Sequence, residues 1–266
     1  MPFPNLKDKH LKDSLVTPQD FIDWAVKTGK YGKFTPPEGV IFCYSSRLLN
    51  TILESEKTEK VDFGDLYLLK RGHIGVMKLG IGAPVAAAMM EELIALGVKK
   101  FLSIGEAGSL QPNLKVGDII LCDQAIRDEG VSHHYLKHAK YVDSPQNFLK
   151  EVESVVQSKG IAYTKGTTWT IDAPYRETGA EVEQYQKEGV LTVEMEAAAL
   201  FAVAQYRGVD VASLFTVSDH LGELEWEPKF HLTTEHFGTL FGIAKAVFER
   251  DRRSLKVPTQ PRKRFI

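Results

Sequence analysis

From residue 80 onward, short β-branched runs alternate with alanine- and glutamate-rich runs of helical length. That alternation constrains the fold more than any other feature, because strands joined through helices end up in one sheet covered on both faces. Gly80-Ile81-Gly82-Ala83-Pro84 forms a glycine loop that opens a helix carrying Met89, Leu93 and Leu96 and stopped by Gly97, with proline suited to the first turn. Strands follow at Phe101-Leu102-Ser103-Ile104, at Val116 to Cys122, at Ala162 to Trp169 and at Val211 to Val217. Helices are expected at about Pro145 to Lys159, Gly179 to Lys187 and Lys229 to Arg250. Upstream, a helix starts at Thr17-Pro18, Val40 to Tyr44 makes a buried strand, Ser45-Ser46 starts a helix, and two strands form a hairpin around Arg71-Gly72. The pattern predicts an α/β fold, a single domain with a mixed, largely parallel central sheet flanked by helices. Residues 1–37 form an N-terminal arm and helix, 38–250 the main domain and 251–266 a basic tail.

The 266 residues leave room for such a domain, and 43% hydrophobic with 26% charged residues is ordinary for a packed core. A formal net charge of −2 gives no basic field for nucleic acid or a membrane surface. The N-terminus has no apolar signal core, and the apolar stretch from Ala83 to Met90 is too short to span a bilayer. A cytoplasmic location is expected. Cys43 and Cys122 lie far apart and read as structural thiols.

Ligands of such sheets bind beyond the strand ends. Four segments fall there: Gly80 to Gly82, Gly105-Glu106-Ala107-Gly108, Glu194-Met195-Glu196 and Ser218-Asp219-His220. The first is neither a dinucleotide fingerprint nor a Walker loop. Glu194 and Glu196 stand two apart where a β-branched run becomes an alanine-rich helix. An ionised carboxylate only accepts hydrogen bonds, so this junction suits a vicinal diol. The bland alternative is that both residues merely start a helix, where negative charge is favoured. Asp219 leaves an apolar strand for a cleft and is the best general-acid candidate.

These motifs occur in a telling order: Gly80 to Pro84, then Ile104 to Pro112 with Val116-Gly117-Asp118, then Val193 to Ala198, then Thr216 to Asp219. In this arrangement the chain resembles the purine nucleoside phosphorylase and uridine phosphorylase family (the nucleoside phosphorylase-I type) over about residues 40–250. The resemblance implies N-glycosidic cleavage of a nucleoside by phosphate, giving free base and ribose 1-phosphate. It implies that Glu196 holds the ribose 2′ and 3′ hydroxyls, that Met195 packs on the sugar face, and that Glu194 is a sugar ligand or supports the helix start. Hydroxyl contacts that tighten as the sugar becomes cation-like lower the barrier. Asp219 would protonate the departing purine at N7. Trp169 and Tyr175 flank the base or belong to core and rim. Arg176 is present without the glutamine that accompanies it in the pyrimidine branch, which favours purine.

The resemblance further implies a phosphate site with Gly82, Arg47 and a neighbouring subunit's cation, here Lys60, as well as positions Ser103 and Glu106. Two of these depart from the pattern. Ser103 stands where an arginine is usual, and Glu106 stands where a serine or threonine is usual. A carboxylate there repels phosphate by roughly several kcal/mol at intermediate dielectric. Glu106 is therefore protonated, paired with Arg47 or Lys60, turned away, or part of a water-activating site in a nucleosidase. A non-catalytic nucleobase-binding relative is the third alternative. His10 lies in an N-terminal arm where the resemblance implies a histidine offered to a neighbouring subunit's ribose 5′ hydroxyl, with a plain surface histidine as the alternative. No metal and no cofactor is expected, with inorganic phosphate as co-substrate. The resemblance implies a homo-oligomer, a hexamer made of dimers.

Overall fold

A computed structural model describes residues 3–69 and 73–255, with side chains to 250. The expected turn at Arg71-Gly72 and the tail from 256 onward lie outside the described residues. Helix α1 (Pro18–Lys27) starts where the sequence places it. The Thr17 side chain accepts from the Asp20 amide, the Asp20 carboxylate accepts from the Thr17 amide, and Pro18 fills the first turn. Strand β1 (Gly39–Cys43) and helix α2 (Ser46–Ser55), capped by Ser45, come next. Strands β2 (Thr58–Lys60), β3 (Leu66–Leu69) and β4 (Ile74–Lys78) lead to helix α3 (Ala83–Ala95). Then follow β5 (Lys100–Ser109), β6 (Ile119–Asp128), the short α4 (Ser132–Tyr135), β7 (Tyr141–Asp143), α5 (Gln146–Ser158) and β8 (Thr164–Ile171). The chain continues through α6 (Gly179–Lys187), β9 (Thr192–Glu194), α7 (Ala197–Arg207), β10 (Asp210–His220), β11 (Glu227–Pro228) and α8 (Thr234–Leu255).

The α/β expectation holds, with a mixed sheet ordered β11-β10-β6-β8-β9-β5-β1-β4-β3-β2. An additional β10–β5 pairing closes the middle of that order on itself. Strands β5, β10, β6, β8 and β9 therefore form a ring, while β1 to β4 extend from it as an open wing. Around the ring, β5–β10, β6–β8 and β8–β9 are parallel, whereas β10–β6 and β5–β9 are antiparallel.

Alternation along β1 and β5 divides the core. Val40, Phe42 and Phe101 pack with α3 and α7 on one face; Ile41, Cys43, Leu102 and Ile104 pack with α2, α5 and α8 on the other. A third cluster holds Leu110, Trp169, Val182, Tyr185 and Val193. Both cysteines are free and buried, and burial pushes the Cys43 thiol up to about 12. Among the described residues no helix is long and apolar enough to cross a membrane.

The structure corrects the strand ends. Strand β5 does not stop at Ile104 but runs through Gly105 and Gly108 to Ser109. Those glycines are close-approach positions inside a central strand, not a turn. A Cβ on Gly105 would sit 3.2 Å from the Tyr44 ring, and one on Gly108 would sit 2.7 Å from Leu221. Strand β10 likewise carries Ser218, Asp219 and His220. Strand β6 starts later and ends later than the sequence pattern suggested. Residues 229–233 hold a short turn of 3-10 helix, so α8 begins at Thr234.

Candidate active site

Three corners meet around the end of β5. The first is the β9–α7 junction. Thr170 on β8 pairs in register with Glu194 on β9. The Thr170 hydroxyl donates to Glu194 Oε1 at 2.5 Å, and Glu194 Oε2 accepts the Glu196 and Ala197 amides at 2.8 and 2.7 Å. The Ala198 amide donates to Thr170 Oγ1 at 3.0 Å. Glu194 and Thr170 thus satisfy three free amides at the start of a helix whose first residues are wholly buried. Glu196 is differently placed. Its Oε1 accepts the Gly82 amide at 2.6 Å, and Gly82, with φ of 109°, opens α3. That conformation favours glycine. Burial pushes both carboxyls above the usual range, and the Glu194 charge pushes Glu196 further. Met195 between them is half-buried.

The second corner surrounds Asp219. Val217 pairs with Ala107 and Asp219 with Gly108, so Ser218 is an extra residue in a β-bulge. A bulge re-aims the side chains that follow it. The Ser218 hydroxyl donates to Asp219 Oδ1 at 2.6 Å, and the Trp226 indole N–H donates to Oδ2 at 2.9 Å. Asp219 is buried, whereas Trp226 is 63% exposed. Glu177, half-buried after the turn Pro174–Arg176, has its carboxyl pushed up to about 7 by burial and then by the Asp219 and Glu181 charges. Gly108 connects this corner to the first, since it pairs with Asp219 on one side and Val193 on the other. Two strand spacings, about 10 Å, therefore separate the Asp219 strand from the Glu194 strand.

The third corner holds Arg47 and Glu106. Arg47, in the first turn of α2, donates from Nη2 to Glu106 Oε1 at 2.8 Å. The same oxygen accepts from the Thr233 hydroxyl at 2.5 Å. Arg47 Nη1 donates to the Phe230 carbonyl, and the guanidinium lies 5.4 Å from the Phe237 ring centre. Ser103 is buried against the Tyr44 hydroxyl at 2.9 Å, and burial and the Glu196 charge hold that phenol well above its usual value.

Several sequence expectations change here. Of the two roles left open for Trp169, the core packing is the one seen: it is fully buried, packs on Tyr185, and donates to Asp128 at 2.9 Å. The Gly82 amide is not open to an anion, because Glu196 holds it. Both Glu194 oxygens serve the helix start, the second of the two roles left open for it. Of the alternatives for Glu106, pairing with Arg47 is the one seen. Lys60 pairs with Asp65 at 2.9 Å on the outermost strand of the wing, outside the three corners. His10 lines a groove of about 790 Å³ between the N-terminal arm, α3 and α7, together with His134 and Tyr206. None of the residues of the three corners lines that groove. Tyr175 is 99% exposed and Arg176 is exposed on the same turn.

Tyr44, Thr170, Glu177, Trp226 and Thr233 were not anticipated. Tyr44 carried a signal, as an aromatic ending a buried strand that leads to Arg47. Trp226 and Thr233 carried none, because their partners are more than a hundred residues away or sit across an irregular loop.

A family model described as the phosphorylase superfamily matches residues 14–244. The chain is 33% identical to a guanosine phosphorylase of Halorubrum lacusprofundi over 55% of its length and 61% of that relative's. It is 30% identical to a DeoD-type purine nucleoside phosphorylase of Clostridium perfringens over 68% of its length and 77% of that relative's. The fold matches a uridine phosphorylase from Vibrio fischeri with a TM-score of 0.66 at 24% identity, covering 82% of this chain and 90% of that one. It matches an AMP nucleosidase from Bacteroides thetaiotaomicron with a TM-score of 0.71 at 22% identity, covering 90% and 100%.

Proposed function

From the premise that the chain belongs to the phosphorylase superfamily, we propose that it cleaves the N-ribosidic bond of a purine nucleoside, with water as the acceptor. The observation that carries the cleavage reading is the register at Gly108, which joins Asp219 to the strand leading into Glu194 and Glu196. A nucleoside has a diol at one end and an electron-accepting base at the other. Glu196 takes the ribose hydroxyls, and Met195 covers the sugar face. Glu194 holds the start of α7 so that Glu196 is aimed. Asp219 meets the base edge, with Tyr175 and Arg176 at the rim. As the bond stretches, positive charge grows on the sugar beside buried carboxylates, where it is stabilised most.

Water is favoured over phosphate on electrostatic grounds. Arg47 is the cation at the acceptor corner, and Glu106 already neutralises it. A phosphate dianion entering there meets no net positive charge, and Ser103 brings a hydroxyl where a second cation would help. The phosphorolysis expected from sequence is retained as a second reading, because Arg47 is in place and relatives are named as phosphorylases. Under either reading the partners are small molecules, a nucleoside with water or phosphate, in a cytoplasmic setting. A dimer-based hexamer, with Lys60 and His10 donated across the dimer, belongs to the same proposal; a fully active monomer by light scattering contradicts it.

Purine nucleosides incubated with and without phosphate give the deciding measurement. Free ribose formed without phosphate is the expected product. Ribose 1-phosphate formed only when phosphate is present assigns the second reading. Failure to cleave any purine nucleoside overturns both.

A further inference from the structure

At the Asp219 corner an exposed indole is anchored to a buried carboxylate. Asp219 Oδ2 accepts the Trp226 N–H at 2.9 Å, and Oδ1 accepts the Ser218 hydroxyl at 2.6 Å. The oxygen that meets the indole is the one over Gly108. A Cβ on that glycine would sit 3.1 Å from Asp219 Oδ2, 3.2 Å from Val193 Cγ1 and 2.7 Å from Leu221 Cδ1. Val193 directly precedes Glu194, so this oxygen lies over the one strand between Asp219 and the diol corner. The tip that carries Trp226 is held at its base, where β10 and β11 pair Asp219 with Pro228 and His220 with Glu227. It is tied again by the Leu221 amide on the Ser109 carbonyl and by Gln186 on the Gly222 carbonyl at 2.7 Å. Leu224, at a φ of 61°, holds a left-handed backbone that non-glycine residues seldom adopt. Its Cδ2 would lie 3.8 Å from a Cβ on Gly179, so the tip reaches the first turn of α6, just past the Tyr175 turn.

Two counts decide what this arrangement does for a ligand. A carboxylate has about four acceptor positions, and Ser218 and Trp226 use two of them. A base donor can join Asp219 without expelling the indole, and donors on one carboxylate are neighbours, so a planar base there meets Trp226. The indole keeps 63% of its surface exposed. A flat heterocycle laid on that open ring removes apolar area from water and adds aromatic stacking.

We propose that Trp226 is a base-binding residue of this site, a stacking surface for the purine that hangs from the carboxylate reading its edge. This role rests on the reading of Asp219 as the base-side group. No bond is made or broken by Trp226; it holds the bicyclic ring against Asp219 while Glu196 holds the sugar. A bicyclic base covers more of an indole than a single ring does, so the same contact favours purine.

The free base tests this without turnover and at a single pH. With hypoxanthine titrated by calorimetry, Trp226→Ala is expected to weaken binding by roughly five- to a hundred-fold, the scale of one base–aromatic stack. Trp226→Phe, which keeps a flat ring and loses the N–H, is expected to recover most of that loss. Tighter binding in Trp226→Ala would make the indole a plug that the base must expel, and it overturns the proposal, as does unchanged affinity. Fluorescence gives a readout in the wild type itself. Hypoxanthine is expected to quench emission, and the quench is expected to vanish in Trp226→Phe, which retains Trp24 and Trp169; a quench that persists overturns the proposal. In inosine cleavage the loss in Trp226→Ala is expected in KM, with kcat within a few-fold. A fall in kcat at unchanged KM would mean that Trp226 only positions Asp219, and overturns the stacking role. Wild-type protein that neither binds hypoxanthine nor cleaves inosine overturns the functional reading and this role with it, whereas active wild type with an unaffected Trp226→Ala overturns this role alone.

Discussion

The β9–α7 junction and the Arg47–Glu106 corner both place glutamate near the end of the same strand, yet their charge is handled in opposite ways. At the junction, Glu194 and Glu196 are buried with no cation paired to them among the described residues, and backbone amides and a threonine hydroxyl are their partners. At the other corner, Glu106 is met by a guanidinium and a hydroxyl. A buried carboxylate held only by neutral donors keeps its capacity to accept from a neutral polyol. One already paired with arginine offers neither sign of charge to a ligand. On the proposed reading, the molecule keeps its sugar-side electrostatics and cancels its anion-side electrostatics.

The largest expected effect breaks or confirms the first half of that contrast. Glu196→Gln is expected to lower kcat/KM for purine nucleosides by about 10²- to 10³-fold, the scale for one preorganised group facing developing charge, without loss of the fold by circular dichroism. Near-normal kinetics would remove Glu196 from the chemistry. The second half is tested by Glu106→Thr, which frees Arg47. A released charge-assisted contact of about 1.5–3 kcal/mol corresponds to roughly ten- to a hundred-fold tighter phosphate binding, read by calorimetry. Unchanged phosphate affinity would mean that the ion pair is not what excludes the anion.

A third change separates the two junction carboxylates. Glu194→Ala leaves the Glu196 and Ala197 amides without an acceptor in a buried setting, and about 1–3 kcal/mol of stability is expected to go with each unmet group, measured by urea unfolding. A loss of turnover without loss of stability would reverse the roles assigned to Glu194 and Glu196. The smallest effect concerns pH. Both junction carboxyls sit above their unfolded values in the fold, so the folded state binds protons more tightly than the unfolded one. Their contribution to stability is fully present below the unfolded carboxylate range, about 4.3, and is lost as pH rises towards neutrality and beyond. Melting temperature is therefore expected to decline over that window, and Glu196→Gln to flatten part of the decline. An unchanged slope in the variant would place the titration elsewhere.

Local patterns carried much of the fold. The Thr17 cap, the opening of α3 at Gly82-Ala83-Pro84 and the whole of α6 follow from residues within a few positions of one another. The Glu194-Met195-Glu196 junction was legible for the same reason, since a β-branched run meeting an alanine run is a local event. Gly105 and Gly108 misled, because a glycine required by a neighbouring strand looks in sequence like a glycine required by a turn. Trp169 stayed open between two roles, since an aromatic at a strand end serves a core or a ligand with the same local pattern.

By itself the sequence determined the class of fold, the order of its elements and the identity of the two acidic motifs, because these depend on periodicity and on short-range capping. Only the tertiary structure decided that Ser218 bulges out of β10, that the strand of Gly108 alone stands between Asp219 and the strand of Glu194, and that Glu106 meets Arg47. Those facts depend on strand register and ring closure between segments far apart in the chain. No local pattern encodes such contacts, because their free energy is gained only when distant surfaces pack together.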